Sequence, residues 1–276
     1  MRIAMNAWSI PAHIPFDEMF AQIAAAGFSG IELNLDRADA SAHSLTADTD
    51  ARTIRQIRTL SEQHQLPVCS VSTSLYGSNQ LGSADAAQRR RGQDILRRQL
   101  ELARGLDAGA ILAVPGGNSD QVPRLDAYAY ARQTLLEIKG EIEASGIQVG
   151  LENVWNSFFL SPADLSGFIA DLASPAIGAY FDVGNVAVFS RPEDWIDALA
   201  GRIFRIHIKD FKRGASWYSG HFANLYEGSI NWASIMASLR QAGYDGWMTA
   251  ELATMPQHPE LLYQMTASAM NHMLET

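Results

Sequence analysis

Eight short apolar runs recur along the chain, each followed by a polar turn and a longer amphipathic stretch. The runs fall at residues 3–7, 30–35, 68–73, 110–114, 148–152, 178–182, 203–208 and 247–251. Each is continuously apolar rather than alternating, as a strand buried on both faces of a parallel sheet requires. The stretches between them read as helices. Residues 16–26 put Phe16, Met19, Phe20 and Ile23 on one face, and Gly27 supplies the stop. Further helices are expected over 49–65, 88–106, 125–144, 192–200, 232–242 and 259–274. Ser161-Pro162 provides an N-cap and a first-turn proline for one more, ending at Leu172. Eight strand–helix units in 276 residues predict an α/β fold, a single (β/α)8 TIM barrel filling residues 1–276 as one domain. A doubly wound sheet is the competing arrangement, but no Gly-rich dinucleotide turn follows the first run.

Composition narrows the function. The chain carries 30 acidic residues against 21 Lys and Arg, a formal net charge of −9. An extended nucleic-acid footprint needs a basic face, so no nucleic-acid partner is expected and a small-molecule role is favoured. The one cysteine, Cys69, permits neither an intramolecular disulfide nor a thiolate metal cluster, which suits a reducing compartment. The opening MRIAMNAWSI lacks a signal-peptide core, and nothing approaches the roughly 20 apolar residues of a membrane span. A cytoplasmic protein without a membrane partner is expected.

In such a barrel the functional groups lie at the carboxyl ends of the strands. The last four runs end in Glu152, Asp182, His207 and Glu251. Each alone has a plain structural reading: a solvated rim glutamate, a turn aspartate, a hydrogen-bonded core histidine. Together they bring three carboxylates and an imidazole to one end of four consecutive strands. Such a cluster is costly unless charge-compensated, and one divalent metal ion would hold all four while leaving positions open for substrate.

The segments Glu152-Asn153, Phe181-Asp182-Val183-Gly184-Asn185, His207-Ile208-Lys209-Asp210 and Gly243-Tyr244-Asp245-Gly246 leading to Glu251 carry a family likeness, as does Gly27-Phe28-Ser29-Gly30-Ile31-Glu32. They resemble the xylose isomerase-like barrels that isomerise or epimerise sugars and sugar phosphates, especially the L-ribulose-5-phosphate 3-epimerase and hexulose-6-phosphate isomerase types. The resemblance implies that Glu152, Asp182, His207 and Glu251 bind the ion, manganese first and magnesium, cobalt or zinc as alternatives. It also implies catalytic roles for Glu152 and Glu251 as acid and base.

Elementary chemistry agrees. Moving a proton next to a ketose carbonyl passes through an enediolate, and a metal Lewis acid can stabilise its charge. Runs five and eight lie well apart around a barrel, so Glu152 and Glu251 can work on opposite faces of one carbon. The expected activity is therefore an isomerase in carbohydrate metabolism, of the ketose 3-epimerase or aldose–ketose isomerase type. A lyase, dehydratase or keto-glycoside-cleaving enzyme of the same superfamily, or a non-catalytic sugar-binding barrel, are the alternatives.

Four further residues are assigned to substrate. Asn185 follows Asp182 by three positions, where ketose 3-epimerases carry a substrate-contacting histidine. Arg213 falls six residues past His207, where relatives place an arginine near sugar oxygens. Lys209 belongs to a basic loop, 209–216, that suits a phosphorylated sugar. Trp155, with Trp8, Tyr76 and Phe158, follows a strand end and can form an apolar wall. The segment 217–229, with His221 and Glu227, is a candidate cover over the site. His43, His64 and His272 read as surface residues, and Trp217 and Tyr218 as exposed aromatics suited to a homo-oligomer contact.

Overall fold

The computed structural model describes residues 1–216 and 218–276, so Trp217 lies outside the described residues. Eight parallel strands close into a barrel: β1 (Arg2–Asn6), β2 (Gly30–Leu35), β3 (Val68–Thr73), β4 (Ala110–Ala113), β5 (Gln148–Glu152), β6 (Ile177–Asp182), β7 (Ile203–Ile208) and β10 (Trp247–Ala250). A separate antiparallel hairpin, β8 (Asp210–Arg213) and β9 (Gly220–Ala223), leaves the carboxyl end of β7. Each expected apolar run is a barrel strand, and the order β1-β10-β7-β6-β5-β4-β3-β2 closes the ring without an edge.

The surrounding helices are α1 (Phe16–Ala25), α2 (Ala51–His64), α3 (Ala86–Gly105), α4 (Arg124–Glu137), α5 (Lys139–Ser145), α6 (Pro162–Leu172), α7 (Val183–Ala187), α8 (Pro192–Ala198), α9 (Trp232–Gln241) and α10 (Pro259–Glu275). Local chemistry sets their ends. Asp50 caps α2 by accepting the Thr53 N–H at 2.8 Å, and Ser161 caps α6 ahead of Pro162. On α1, Met19, Phe20 and Ile23 are buried against the barrel as their spacing predicts.

Two departures have physical causes. The expected helix over 125–144 is broken, because Ile138 leaves helical geometry and turns its side chain into the core, and Gly140 follows. The short helix α7, absent from the sequence reading, starts directly from the end of β6 because Asp182 caps it. No helix among the described residues is long and apolar enough to cross a membrane. Tyr218 is exposed, as expected. His64 is half-buried and His272 exposed. His43 corrects the surface reading: it is buried, with Nδ1 2.7 Å from the Ile14 carbonyl oxygen and Nε2 3.1 Å from that of Ala7.

The barrel interior is apolar toward its lower half but polar beneath its mouth. Asn6, Glu32, Asn34, Ser70 and Ser72, from three adjacent strands, are all buried there. They hydrogen-bond to one another, Asn34 donating to Ser72 Oγ at 2.5 Å and Asn6 to Glu32, while Asn34 Oδ1 is left without an aligned donor.

Candidate metal and active site

Each strand-end group reaches the mouth for a local reason. Glu152 and Asp182 are the last residues of β5 and β6. Asp182 Oδ1 accepts the Asn185 N–H at 2.8 Å as the cap of α7, which fixes the carboxylate and turns Oδ2 toward His207. Asn153 locks the same strand end, accepting the Asp182 N–H at 2.9 Å and donating to its carbonyl at 2.8 Å. His207 stands one residue before the end of β7, paired in register with Asp182 on one side and Thr249 on the other. Glu251 follows β10, with its N–H on the Ile208 carbonyl at 3.1 Å.

Ligand atoms of Glu152, Asp182, His207 and Glu251 all lie within 4.8 Å of one another. His207 Nδ1 is 3.4 Å from Glu152 Oε1, 3.5 Å from Glu251 Oε2 and 4.0 Å from Asp182 Oδ2. His207 Nδ1 and Asp182 Oδ2 are buried and accept or donate no aligned hydrogen bond. Lys209 Nζ does approach Asp182 Oδ2 at 2.7 Å, as an ion pair without hydrogen-bond alignment. Buried lone pairs that converge without aligned donors suit a cation between them. One imidazole with three carboxylates is a donor set that suits a divalent ion. The residues present fit a metal.

Beneath them stands a group that the sequence reading left without a role. Glu32 is buried, and its Oε1 lies 2.6 Å from His207 Nε2. Its other partners are Ser70 Oγ at 2.5 Å, the Tyr180 hydroxyl and the Asn6 amide. The carboxylate fixes the ring so that Nδ1 faces the mouth, the arrangement that orients metal-binding histidines. The signal was available: a glutamate in the middle of the apolar run Gly-Ile-Glu-Leu-Asn-Leu has no reason to be there unless paired.

The electrostatics follow from this crowding. Burial, reinforced by the charges of Asp182 and Glu251, lifts the Glu152 carboxyl to about 7 against the pull of His207. Burial would likewise lift Glu32, but His207 and the hydrogen bonds from Ser70 and Tyr180 hold it below the usual carboxylate range. Burial opposes the charge on His207, yet Glu32, Glu152 and Glu251 keep the imidazole well above its ordinary value. For Glu251 burial is outweighed by Lys209 and His207, which lower it. Burial opposes the Lys209 ammonium as well, and the carboxylates of Asp182, Glu251 and Glu152 raise it.

Two connected hollows open above the cluster. The inner one, about 320 Å³, is lined by Glu152, Asn156, Gln80, Thr73 and Ser74 among others. The outer one, about 570 Å³, is lined by His221, Phe222, Asn224 and Glu227. Trp8, Trp155, Asn185, Lys209 and Glu251 line both. Asn185, Lys209 and Trp155 are thus brought to the cleft. Lys209 lies deeper than a loop cation would, its Nζ 2.6 Å from Glu251 Oε2. Arg213 is not brought there: its guanidinium donates to the Ala187 carbonyl at 2.6 Å and faces a separate hollow of about 180 Å³. Because β8 pairs with β9, side chains along it alternate in direction, which a loop reading of 209–216 did not anticipate. Of the expected wall, Trp8 and Trp155 line both hollows and Tyr76 the inner one, while Phe158 packs beneath Gly116.

A closed parallel barrel with an imidazole–carboxylate cluster at its mouth has the (β/α)8 architecture, with its functional groups at the carboxyl ends of the strands. The xylose isomerase-like TIM barrel family profile matches residues 20–272, and the chain belongs to that family. It is similar to fructoselysine 3-epimerase of Escherichia coli O157:H7, 25% identical over 260 residues, 92% of this chain and 91% of that one. It is also similar to L-ribulose-5-phosphate 3-epimerase of Salmonella paratyphi C, 25% identical over 223 residues, 80% of this chain and 76% of that one. Among solved structures, a D-tagatose 3-epimerase-like protein superposes with a TM-score of 0.83 at 20% identity, over 100% of this chain and 97% of that one. At that identity the likeness speaks for the fold.

Proposed function

We propose that the protein is a divalent-metal-dependent isomerase that epimerises a ketose at the carbon beside its carbonyl. The observation that carries this is the placement of two glutamates on either side of one histidine and one aspartate. Glu152 comes from β5 and Glu251 from the end of β10, with β6 and β7 between them in the barrel. Glu152, Asp182, His207 and Glu251 would hold the ion, manganese first, which when bound supplies the Lewis acidity that polarises the ketose carbonyl.

The chain's own groups do the rest. Glu152 Oε1 and Glu251 Oε2 approach the site centre from different strands, so one carboxylate removes the carbon-bound proton and the other returns one to the opposite face. The roles exchange with the direction of reaction. Lys209 holds Glu251 in place and contributes positive charge where oxygen becomes negative. Asn185 lines both hollows and offers its amide to sugar hydroxyls. Trp155, 64% exposed, presents an aromatic face to the C–H face of a sugar ring. The lone buried Cys69 thiol suits a cytoplasmic enzyme of carbohydrate metabolism.

The test is solvent exchange. Metal-loaded protein is incubated with ketoses in D₂O, the ion is stripped, and NMR follows which carbon-bound proton is lost. Loss at C3 with an epimeric product heavier only by the deuterium it gains is expected, and Glu152→Gln or Glu251→Gln should slow turnover about 10²–10⁴-fold. A product that has lost water or carbon dioxide would replace this reading with an elimination or decarboxylation. Near-normal turnover in either variant would reject the acid–base pair.

A further inference from the structure

The outer hollow is larger than the inner one and differs from it in chemistry. At about 320 Å³ the inner hollow is at the small end of the roughly 300–1,000 Å³ usual for small-molecule sites, and its polar lining suits one monosaccharide. The outer hollow, at about 570 Å³, leaves room for a second group attached to that sugar.

Its lining says what kind of group. Trp155 and Phe222 meet edge to face, with ring centroids 6.1 Å apart. Glu227 stands beside them, its Oε2 accepting from Asn224 Nδ2 at 3.1 Å, and Glu251 closes the base. Among the described residues no arginine lines either hollow. The one lysine, Lys209, is already matched to Asp182 and Glu251. Phosphate recognition uses clustered cations or free backbone N–H groups; the Phe222 ring already faces Lys209 Nζ at 5.4 Å, and the exposed Trp155 ring with the Glu227 carboxylate favours a positive charge.

The lip that carries Glu227 is built rigidly. Asp210 is buried at the start of β8, and its carboxylate accepts the N–H groups of Tyr226 at 3.0 Å and Ile230 at 3.2 Å and the Trp232 indole N–H at 3.0 Å. Gly228 fits only because it lacks a side chain, since a Cβ there would fall 2.0 Å from Asp210 Oδ1. A turn clamped in this way presents Glu227 to the hollow in a fixed place.

We propose that the outer hollow is a subsite for a cationic amine substituent, so that the preferred substrate is an unphosphorylated ketose bearing an alkylamine. This rests on the epimerase reading above and names the substrate class of the same site. The phosphate suggested by the basic run 209–216 loses its support here, because Arg213 faces elsewhere and Lys209 is engaged.

Four probes test it on the metal-loaded protein: fructose, 1-deoxy-1-propylamino-fructose, its ether counterpart 1-O-propyl-fructose, and fructose 1-phosphate. Deuterium exchange at C3 gives kcat/KM for each. The amine should exceed fructose roughly tenfold and the ether about two- to fivefold. Glu227→Gln should reduce the amine-to-ether ratio toward one. Equal values for amine and ether, an unchanged ratio in Glu227→Gln, or preference for the phosphate would each overturn the subsite. If no probe exchanges, the epimerase reading fails by itself. Calorimetric binding of amine against ether then still decides the subsite: tighter amine binding upholds it and equal binding removes it.

Discussion

Glu32→Gln isolates the group that orients His207, the histidine of the proposed metal site, without touching the mouth of the barrel. In the parent protein Oε1 faces His207 Nε2 and the Asn6 amide, and Oε2 faces the hydroxyls of Ser70 and Tyr180. A glutamine of the same shape can point its oxygen at His207 and Asn6 and its NH₂ at the two hydroxyls, which rotate to accept. The ring therefore keeps its orientation and loses the charge behind it. A carboxylate backing a metal-binding histidine is worth about 10–100-fold in metal affinity, or roughly 1.4–2.8 kcal/mol. Glu32→Ala is a different perturbation, because it strands several buried donors at once. Breaking a buried ionic network of this kind costs about 3–5 kcal/mol, a fall in Tm on the order of 10 °C for a chain of this size. Calorimetric titration of Mn²⁺ into chelator-stripped protein, with thermal melts of the same samples, separates the two. Glu32→Gln should bind Mn²⁺ 10–100-fold more weakly and melt close to the parent. Binding within a factor of two of the parent would refute the assignment of Glu32 as the orienting group.

Lys209→Met removes the ammonium that lies 2.6–2.7 Å from Glu251 and Asp182. Mn²⁺ affinity should rise at least about tenfold, since like charges a few ångströms apart repel by up to about 4 kcal/mol even when screened, while the metal-free protein melts lower. Weaker Mn²⁺ binding in this variant would show that Lys209 supports the ligand set rather than competing with the ion. Gly228→Ala forces a Cβ against Asp210 and should destabilise the lip by about 2 kcal/mol. Faster amide exchange at Tyr226 and Ile230 is the measurement, and unchanged exchange would contradict the clamp. Mn²⁺ at about 100 times its Kd should stabilise the fold by about 2.7 kcal/mol, raising Tm by roughly 5–10 °C over chelated protein, with no rise expected after Asp182→Ala.

The barrel and the four strand-end groups were legible because both follow from local pattern. Eight apolar runs must be buried on both faces, and a charged residue at the end of a run is visible by position alone. The inner polar layer was not legible in the same way. Glu32, Asn34, Ser70 and Ser72 interrupt runs that read as apolar, and only the barrel's register shows that they meet. The hairpin was missed for a related reason. Residues 209–216 were read as a basic loop, but Asp210 draws three donors from 226–232 and folds the segment onto itself. That long-range closure places Glu227 in the cleft and carries Arg213 out of it, and spacing from His207 contains no hint of either.

The two levels of charge also explain why a cation suits the site. Glu32, Glu152, Asp182 and Glu251 set four carboxylates against one ammonium, Lys209, because His207 can offer Nδ1 to an ion only as the neutral imidazole. Three negative charges remain, and burial makes leaving them uncompensated expensive, as the lifted Glu152 carboxyl shows. Placing Glu32 beneath the histidine rather than beside the other three keeps the like charges apart while still adding its charge to the total. His207 then links the levels, held by one ring nitrogen from below and open at the other toward the mouth. The arrangement predicts that a compensating cation, not packing, sets the spacing of Glu152 and Glu251, and with it the width available for a substrate carbon between them.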